Sequence, residues 1–145
     1  MNTRQIEKVL NRHCSIFRGV FAADQLPIPQ RRPILIIANE QKSSLPGSHW
    51  FAIFFDVGGE GEFFDSFGRR PTGIFERYMD LHSTTWIYND RQLQSITSRF
   101  CGHYCILYAV YKNRRYSMRN IIKMYGNNHV LNDYNTYRFV RKMLY

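Results

Sequence analysis

Residues 49–68 read HWFAIFFDVGGEGEFFDSFG and carry the strongest structural signal in the chain. Aromatic and β-branched residues dominate the first half, which is typical of a β-strand over residues 49–57. The glycine-rich segment 58–61 predicts a turn, and residues 62–67 predict a second strand that returns beside the first. The segment is therefore predicted to form a β-hairpin that begins at His49.

Two further strands are expected outside this hairpin. Residues 34–38 form an apolar, β-branched run, which indicates a buried strand, and residues 86–88 predict a short one. Residues 17–29 are expected to be irregular because a glycine and two prolines interrupt them. A polar loop over residues 39–48 is expected to turn at Pro46-Gly47.

Apolar periodicity predicts helices over residues 3–13, 72–81, 101–111, 117–125 and 131–144. The helix over 101–111 is strongly apolar and is predicted to be the central, buried one. The fold class that follows is α+β, with a small mixed β-sheet packed against helices.

Length and composition indicate a folded protein. The chain has 145 residues, of which 44% are hydrophobic and 16% aromatic, so we expect one domain over residues 1–145. No apolar stretch reaches the ~18 residues of a membrane span, and the first ten residues lack a signal-peptide core. The three cysteines, Cys14, Cys101 and Cys105, suit a reducing compartment better than a disulfide framework.

Positive charge is concentrated near the C-terminus. The net charge is +9, and residues 112–145 hold eight Lys and Arg against the single acid Asp133. This asymmetry favours a polyanionic partner such as DNA. An ordinary basic surface with no dedicated ligand is the alternative.

Cys101 is the candidate nucleophile. A thiol at a helix N-terminus lies beside unpaired backbone N–H groups and the positive end of the helix dipole, which stabilise the reactive thiolate. Gly102 lacks a Cβ and allows a close approach to the sulfur. On local grounds alone, a buried packing cysteine is the alternative.

His49 is the candidate base, because it stands at the start of a strand and not within an apolar core. Asp65, on the opposite strand of the hairpin, can accept the second ring N–H of His49 and fix its tautomer. The alternative for Asp65 is a structural role in capping the turn that follows it. Gln94 precedes Cys101 by seven residues, and its amide can form an oxyanion hole with the Cys101 N–H. The neighbouring Gln92 is a rival for that role.

Together these motifs resemble the adenovirus protease (adenain) family, including the related proteases of Polinton-type transposons and allied viruses. The shared set, in chain order, is His49-Trp50, Phe64-Asp65-Ser66-Phe67-Gly68, Gln94, and Cys101-Gly102-His103-Tyr104-Cys105. The segment 19–27 also looks like the N-terminal signature of the transposon and viral members. The adenovirus enzymes have Glu where this chain has Asp65, whereas the related SUMO-specific proteases have Asp.

The resemblance implies a cysteine endopeptidase with the catalytic residues His49, Asp65, Gln94 and Cys101. It implies cleavage of viral or transposon-encoded precursor proteins after small residues such as Gly, with no cofactor or metal required for the chemistry. It also implies two activators, a short peptide and DNA, and a location in the host cytoplasm or nucleus or inside a virion. Cys105 is expected to be structural.

Three other functions stay open from the sequence. A ubiquitin- or SUMO-type isopeptidase would use the same four residues and would also cut after Gly. A basic nucleic-acid-binding module with a vestigial site would bind DNA without reacting as a thiol enzyme. Metal binding by Cys101, His103 and Cys105 is disfavoured, because this helical spacing points the histidine away from the cysteines.

Overall fold

A five-stranded mixed sheet forms the centre of the molecule, in a computed structural model that describes residues 1–44 and 49–144. The predicted turn at Pro46-Gly47 lies outside the described residues. The strands follow chain order across the sheet: β1 Phe17–Phe21, β2 Ile34–Asn39, β3 Trp50–Phe55, β4 Glu60–Phe64 and β5 Thr85–Tyr88. The pairs β1–β2 and β4–β5 are parallel, while β3 runs antiparallel to both of its neighbours, β2 and β4.

Helices cover both faces of this sheet. They are α1 Thr3–His13, α2 Ile74–His82, α3 Cys101–Asn113, α4 Met118–Ile122 and α5 His129–Leu144. One face packs against α1 and α3, with α4 and α5 behind them, and the other packs against α2. Every residue of β2 and β3 is buried, because both faces of a covered sheet are core. The predicted α+β fold with a small mixed sheet is thus present.

Three strand predictions differ from the structure. The first hairpin strand, predicted over residues 49–57, spans Trp50–Phe55. Residues 17–29 were expected to be irregular, yet Phe17–Phe21 forms the edge strand β1, where pairing with the apolar β2 outweighs the poor strand propensity of Gly19. The second hairpin strand ends at Phe64 and not at residue 67. Asp65 ends it because its carbonyl accepts the Gly68 N–H at 2.7 Å and closes a turn.

Helix α3 is the buried helix that the sequence predicts. Tyr104, Cys105 and Tyr108 on it are fully buried. Near its end, Lys112 pairs with Glu62 of β4 at 3.1 Å, and the Tyr108 hydroxyl donates to the same carboxylate. These contacts fix the end of α3 against the sheet and so fix the position of its first residue, Cys101.

Within the described residues, no helix is both long enough and apolar enough to cross a membrane.

Candidate active site

His49 and Asp65 lie at the same edge of the sheet because the hairpin brings them there. Strands β3 and β4 are antiparallel, with Ala52 opposite Phe64, so the start of β3 meets the end of β4. The sequence predicted both residues within paired strands; each instead lies one residue beyond its strand. The His49 Nε2 and Asp65 Oδ1 atoms are 2.8 Å apart, and both side chains are buried.

Asp65 is held from several directions. Asn89 bonds its backbone twice, accepting from the Asp65 N–H at 3.0 Å and donating to the Asp65 carbonyl at 2.6 Å. The Phe67 N–H donates to Oδ1 at 2.9 Å and Arg69 Nε donates to Oδ2 at 3.0 Å. Asp65 therefore contacts the candidate base and also closes the turn, so the two roles weighed from the sequence coexist.

These contacts keep the Asp65 carboxyl ionised. Burial by itself raises its pKa, but the hydrogen bond and charge of His49, the Phe67 N–H and the Arg69 guanidinium outweigh burial and lower the pKa below its ordinary value. The carboxylate thus stays an acceptor for the imidazole N–H across the neutral range.

The imidazole of His49 is fixed between two phenylalanine rings. Phe67 stacks on it with ring centroids 4.9 Å apart, and Phe51 meets it edge-on at 5.0 Å. Because Nε2 faces Asp65, Nδ1 is the ring nitrogen left for Cys101. Burial lowers the pKa of His49, but hydrogen bonds and charge from Asp65 and Cys101 prevail and raise it to about 9.

Cys101 is the first residue of α3, and its sulfur interacts with the His49 imidazole. Burial raises the pKa of this thiol, yet the hydrogen bond and charge of His49, helped by the backbone N–H groups of Trp50 and Gly102, lower it overall. The other two cysteines behave oppositely. Burial raises the pKa of Cys14 to about 11 and that of Cys105 well above its ordinary range.

Gly102 is covered by side chains, where a close backbone approach was expected. A Cβ at this position would lie 3.3 Å from Trp50 Cδ1 and 3.3 Å from the Met1 sulfur. Trp50 Nε1 also donates to the Met1 carbonyl at 3.4 Å. Trp50 therefore belongs both to the core and to the wall of the cleft beside Cys101.

Gln94 reaches the cleft, and its amide is fully bonded within the protein. Its Oε1 accepts from the Ser66 hydroxyl at 2.5 Å, and its Nε2 donates to the Ser98 carbonyl and hydroxyl, each at 3.0 Å. An oxyanion in the cleft would share this NH₂ group with Ser98 or replace the Ser98 hydroxyl. The rival Gln92 does not line the cleft; it donates to the Gln94 carbonyl at 2.9 Å.

Sequence reasoning missed two residues that position Gln94. The Ser66 carbonyl accepts from the N–H groups of Leu93 at 2.9 Å and of Gln94 at 3.1 Å, in addition to the hydroxyl bond. From the other side, Asn132 of α5 donates to the Leu93 carbonyl at 3.1 Å. Ser66 directly follows Asp65 in the motif Phe64-Asp65-Ser66-Phe67-Gly68, so the sequence could have indicated it. Nothing local marks Asn132, which lies far away in sequence.

His103 and Cys105 make packing contacts. The His103 ring meets those of Phe100 and Tyr137, with centroids 5.1 and 5.8 Å away, and burial lowers its pKa to about 4. Cys105 is fully buried beneath Cys101. In the part of the chain that the structure describes, no three His, Cys, Asp or Glu side chains lie close enough together to hold a metal ion.

The site opens into a cleft of about 510 Å³ at the sheet edge. His49, Gln94 and Cys101 all line it, and Asp65 lies behind His49. The remaining lining residues are Met1, Glu40, Trp50, Phe67, Arg69, Ser98 and Arg99. The structure thus brings the four predicted residues together around one opening. The arrangement places a thiol with a lowered pKa, an imidazole with a raised pKa and an amide donor around one opening.

Sequence comparison finds no matching protein family, and no curated protein matches. Comparison of folds does find matches. Two crystal structures of the ASFV protease have TM-scores of 0.54 and 0.66, at 23% and 18% identity, covering 72% and 94% of this chain. The chain spans 44% and 66% of the length of those two structures.

Two other solved structures match over nearly the whole chain. The SUMO protease Ulp1 has a TM-score of 0.51 at 14% identity, covering 100% of this chain and 79% of its own. The central domain of the Lpg1148 protein from Legionella pneumophila has a TM-score of 0.57 at 12% identity, covering 99% and 97%. At these identities the likeness establishes the fold. The α+β fold predicted from the sequence is confirmed as one that this chain has in common with the ASFV and SUMO proteases.

Proposed function

We propose that this chain is a cysteine endopeptidase. Cys101 is the nucleophile, His49 the general base and acid, Asp65 the residue that orients His49, and Gln94 an oxyanion donor. The observation that carries this proposal is the continuous contact from Asp65 through His49 to Cys101, whose thiol lies at a helix start and opens into the cleft. A low thiol pKa beside a raised imidazole pKa is what such a nucleophile requires.

The mechanism follows from the protonation states. The Cys101 thiolate attacks the carbonyl carbon of the scissile peptide, and the carbonyl electron pair moves to oxygen. The Cys101 N–H, which has no acceptor inside its own helix, and the Gln94 amide hold this oxyanion. His49 then protonates the leaving amine as the C–N bond breaks and a thioester forms. Water, deprotonated by His49, hydrolyses the thioester and restores the thiolate.

The proposed substrates are viral or transposon-encoded precursor proteins, cut after small residues such as Gly. The side chains of Trp50 and Met1 pack against Gly102 beside the nucleophile. They narrow the cleft at this point, which supports a substrate residue with little or no side chain. The likeness of the fold to the ASFV protease supports a viral context. An isopeptidase acting on ubiquitin- or SUMO-like proteins is the second candidate, and the likeness to a SUMO protease supports it.

DNA and a short activating peptide are proposed partners, with the host cytoplasm, the nucleus or a virion as the location. Support for DNA comes from the seven exposed basic residues between positions 112 and 145. The adenain resemblance is the support for the activating peptide.

The deciding experiment is labelling of purified protein by a thiol-directed acylating peptide probe that ends in Gly, with the modified residue located by mass spectrometry. We expect modification of Cys101, loss of labelling in Cys101→Ala, and strong reduction in His49→Ala. Cys14→Ala is the matched control, because Cys14 is buried far from the cleft and should leave the labelling intact. If wild type does not react, even with DNA present, the proposal fails and a DNA-binding module without thiol chemistry replaces it.

Probes built on ubiquitin and SUMO separate the two candidates. The endopeptidase proposal predicts reaction with the short Gly-ended peptide without any need for a folded ubiquitin-like partner. Much faster labelling by a ubiquitin- or SUMO-based probe than by the peptide would favour the isopeptidase.

A further inference from the structure

Three cavities form one groove along the sheet edge. The catalytic cleft shares Met1 and Trp50 with a cavity of about 420 Å³ on one side. On the other side it shares Glu40 and Arg69 with a cavity of about 490 Å³. We call the latter the aromatic cavity, because Phe51, Phe63 and Phe75 form its walls. The two flanking cavities also share Lys42 with each other. A peptide that crosses Cys101 therefore passes Met1 and Trp50 toward one of them and Glu40 and Arg69 toward the other.

The chemistry of the proposed reaction gives this groove a direction. The acyl half of the substrate becomes bonded to Cys101, while the amine half takes its proton from His49 and so leaves past that imidazole. The aromatic cavity lies on the His49 side. Its wall residue Phe51 meets the His49 ring edge-on at 5.0 Å, and Asp65, the hydrogen-bond partner of His49, also lines the cavity. Residues on the amine side of the scissile bond therefore pass its mouth.

The walls of the aromatic cavity select for apolar groups. Ala23, Pro71 and Ile74 complete the apolar lining begun by the three phenylalanines. Charged groups stand at the rim, and two of these cations are already paired: Arg69 with Asp65 at 3.0 Å and Arg70 with Glu76 at 3.2 Å. Because these cations have carboxylate partners in the protein, the rim does not require an acidic ligand. A volume of about 490 Å³ has room for an aromatic or large aliphatic side chain.

We propose that the aromatic cavity binds a large apolar side chain of the polypeptide substrate, located on the amine side of the scissile bond. This inference rests on the proposed peptidase function and adds a specificity determinant to it. The cleft would thus recognise its substrate on both sides of the cut. A small residue fits the Trp50 side, and an aromatic or branched aliphatic residue fits beyond His49.

The test is a set of peptides with one fixed acyl half ending in Gly. Phe is moved through the first four amine-side positions in an otherwise Ala background, and kcat/KM is measured for each peptide. A coumarin amide of the same acyl half, which has no amine-side residues, reports the basic chemistry. We expect one Phe position to raise kcat/KM by about tenfold or more over Ala, as a hydrophobic pocket does for several added carbons.

Variants of its lining residues test whether the aromatic cavity causes the preference for Phe. Ala23→Leu places three more carbons in the cavity and should reduce the Phe-to-Ala ratio toward one. Ile74→Asn, at the half-open mouth, should lower the same ratio, and it replaces the first variant if Ala23→Leu does not fold. Leu81→Asn on the same helix is the matched control, because Leu81 is 77% exposed and lines none of the three cavities. It should keep the wild-type ratio.

The outcomes distinguish failure of this inference from failure of the proposed peptidase function. If wild type hydrolyses neither the peptides nor the coumarin amide, the proposed function fails. If the coumarin amide is cleaved but no Phe position exceeds Ala, the aromatic cavity is not a substrate subsite and the peptidase proposal stands. A preference that survives unchanged in both Ala23→Leu and Ile74→Asn also overturns the inference.

Discussion

At the scale of single residues, the chemistry of Cys101 depends on what surrounds its sulfur. Burial opposes the thiolate, and the imidazolium of His49 is the largest effect that favours it. Cys14 and Cys105 are also buried but have no imidazolium beside them, and their thiols stay protonated at neutral pH. The lowered pKa of Cys101 therefore comes from its contact with the His49 ring and not from solvent exposure.

This difference predicts the pH dependence of alkylation. Iodoacetamide should modify Cys101 at pH values below the ~8.5 at which an ordinary thiol ionises, because its pKa is lowered. The imidazolium should persist until the pH passes about 9, the raised pKa of His49. The ion pair, and with it kcat/KM, should therefore hold between the two pKa values and fall on either side.

In His49→Ala the favourable charge is lost and burial remains, so the pKa of Cys101 should rise above its ordinary value. Each unit of that rise reduces the thiolate fraction at neutral pH about tenfold. Peptide mapping should find Cys14 and Cys105 unmodified throughout. A wild-type alkylation profile centred near ~8.5, unaltered by His49→Ala, would contradict the ion pair.

Gln94 should affect a different step from His49. Gln94→Ala removes an oxyanion donor and is expected to lower kcat by about 10²–10³-fold, with little change in KM. The alkylation rate of Cys101 should stay at the wild-type level, because no oxyanion forms in that reaction. Ser66→Ala should lower kcat less, since it only frees the Gln94 amide to rotate. Gln92→Ala is the comparison: an equal loss of kcat there would argue against Gln94 as the donor.

Among the helices and strands, the sequence predicted those that a local apolar pattern encodes. Helix α3 and the β3–β4 hairpin have continuous apolar signals, so they were found with small errors at their ends. Strand β1 was missed because its place is set by pairing with β2 and not by its own composition. The contact of Asn132 with the Gln94 loop was missed for the same reason, since it comes from a distant helix. Ser66 differs, because it stands next to Asp65 in a motif that the sequence already singled out.

Helix α5 is expected to support the site through Asn132. Its buried amide donates to the carbonyls of Leu93 at 3.1 Å and Gly126 at 2.9 Å. Asn132→Ala removes both bonds and also the Asn132 Oδ1 acceptor of the Gly126 N–H, although Tyr104 and Arg91 still donate to the two carbonyls. It should lower the free energy of unfolding by about 1–3 kcal/mol. It should also lower kcat, because the loop that carries Gln94 loses its brace.

Urea unfolding and peptide hydrolysis measure the two effects in the same preparation. Asn135→Ala, at an exposed position of the same helix, is the matched control and should change neither quantity. If both substitutions behave alike, α5 only covers the core and does not position Gln94.

The positive charge of residues 112–145 is almost entirely on the surface of the molecule. Of the eight basic residues in this segment, Lys112 is buried and paired with Glu62. The other seven are exposed: Arg114, Arg115, Arg119, Lys123, Arg138, Arg141 and Lys142. Exposed tyrosines stand among them, Tyr116, Tyr134 and Tyr137. Exposed cations in this number are what the proposed contacts with DNA phosphates require.

The proposed DNA binding should therefore weaken with salt in a way that these residues control. Each phosphate contact adds about −0.9 to the slope of log K against log salt concentration. Replacing Arg138, Arg141 and Lys142 by Gln should reduce the size of that slope by up to three such contacts, as measured by fluorescence anisotropy with labelled duplex DNA.

The triple substitution of Arg4, Lys8 and Arg12 by Gln is the matched control, because it removes the same charge from exposed positions of α1. A local DNA site on residues 112–145 predicts a much smaller change in slope for this control. Equal changes would mean that DNA responds only to the net charge of +9, which is a long-range field without a site. Absence of binding at low salt would reject the DNA partner, and because the cleft residues belong to other elements, it would leave the peptidase proposal intact.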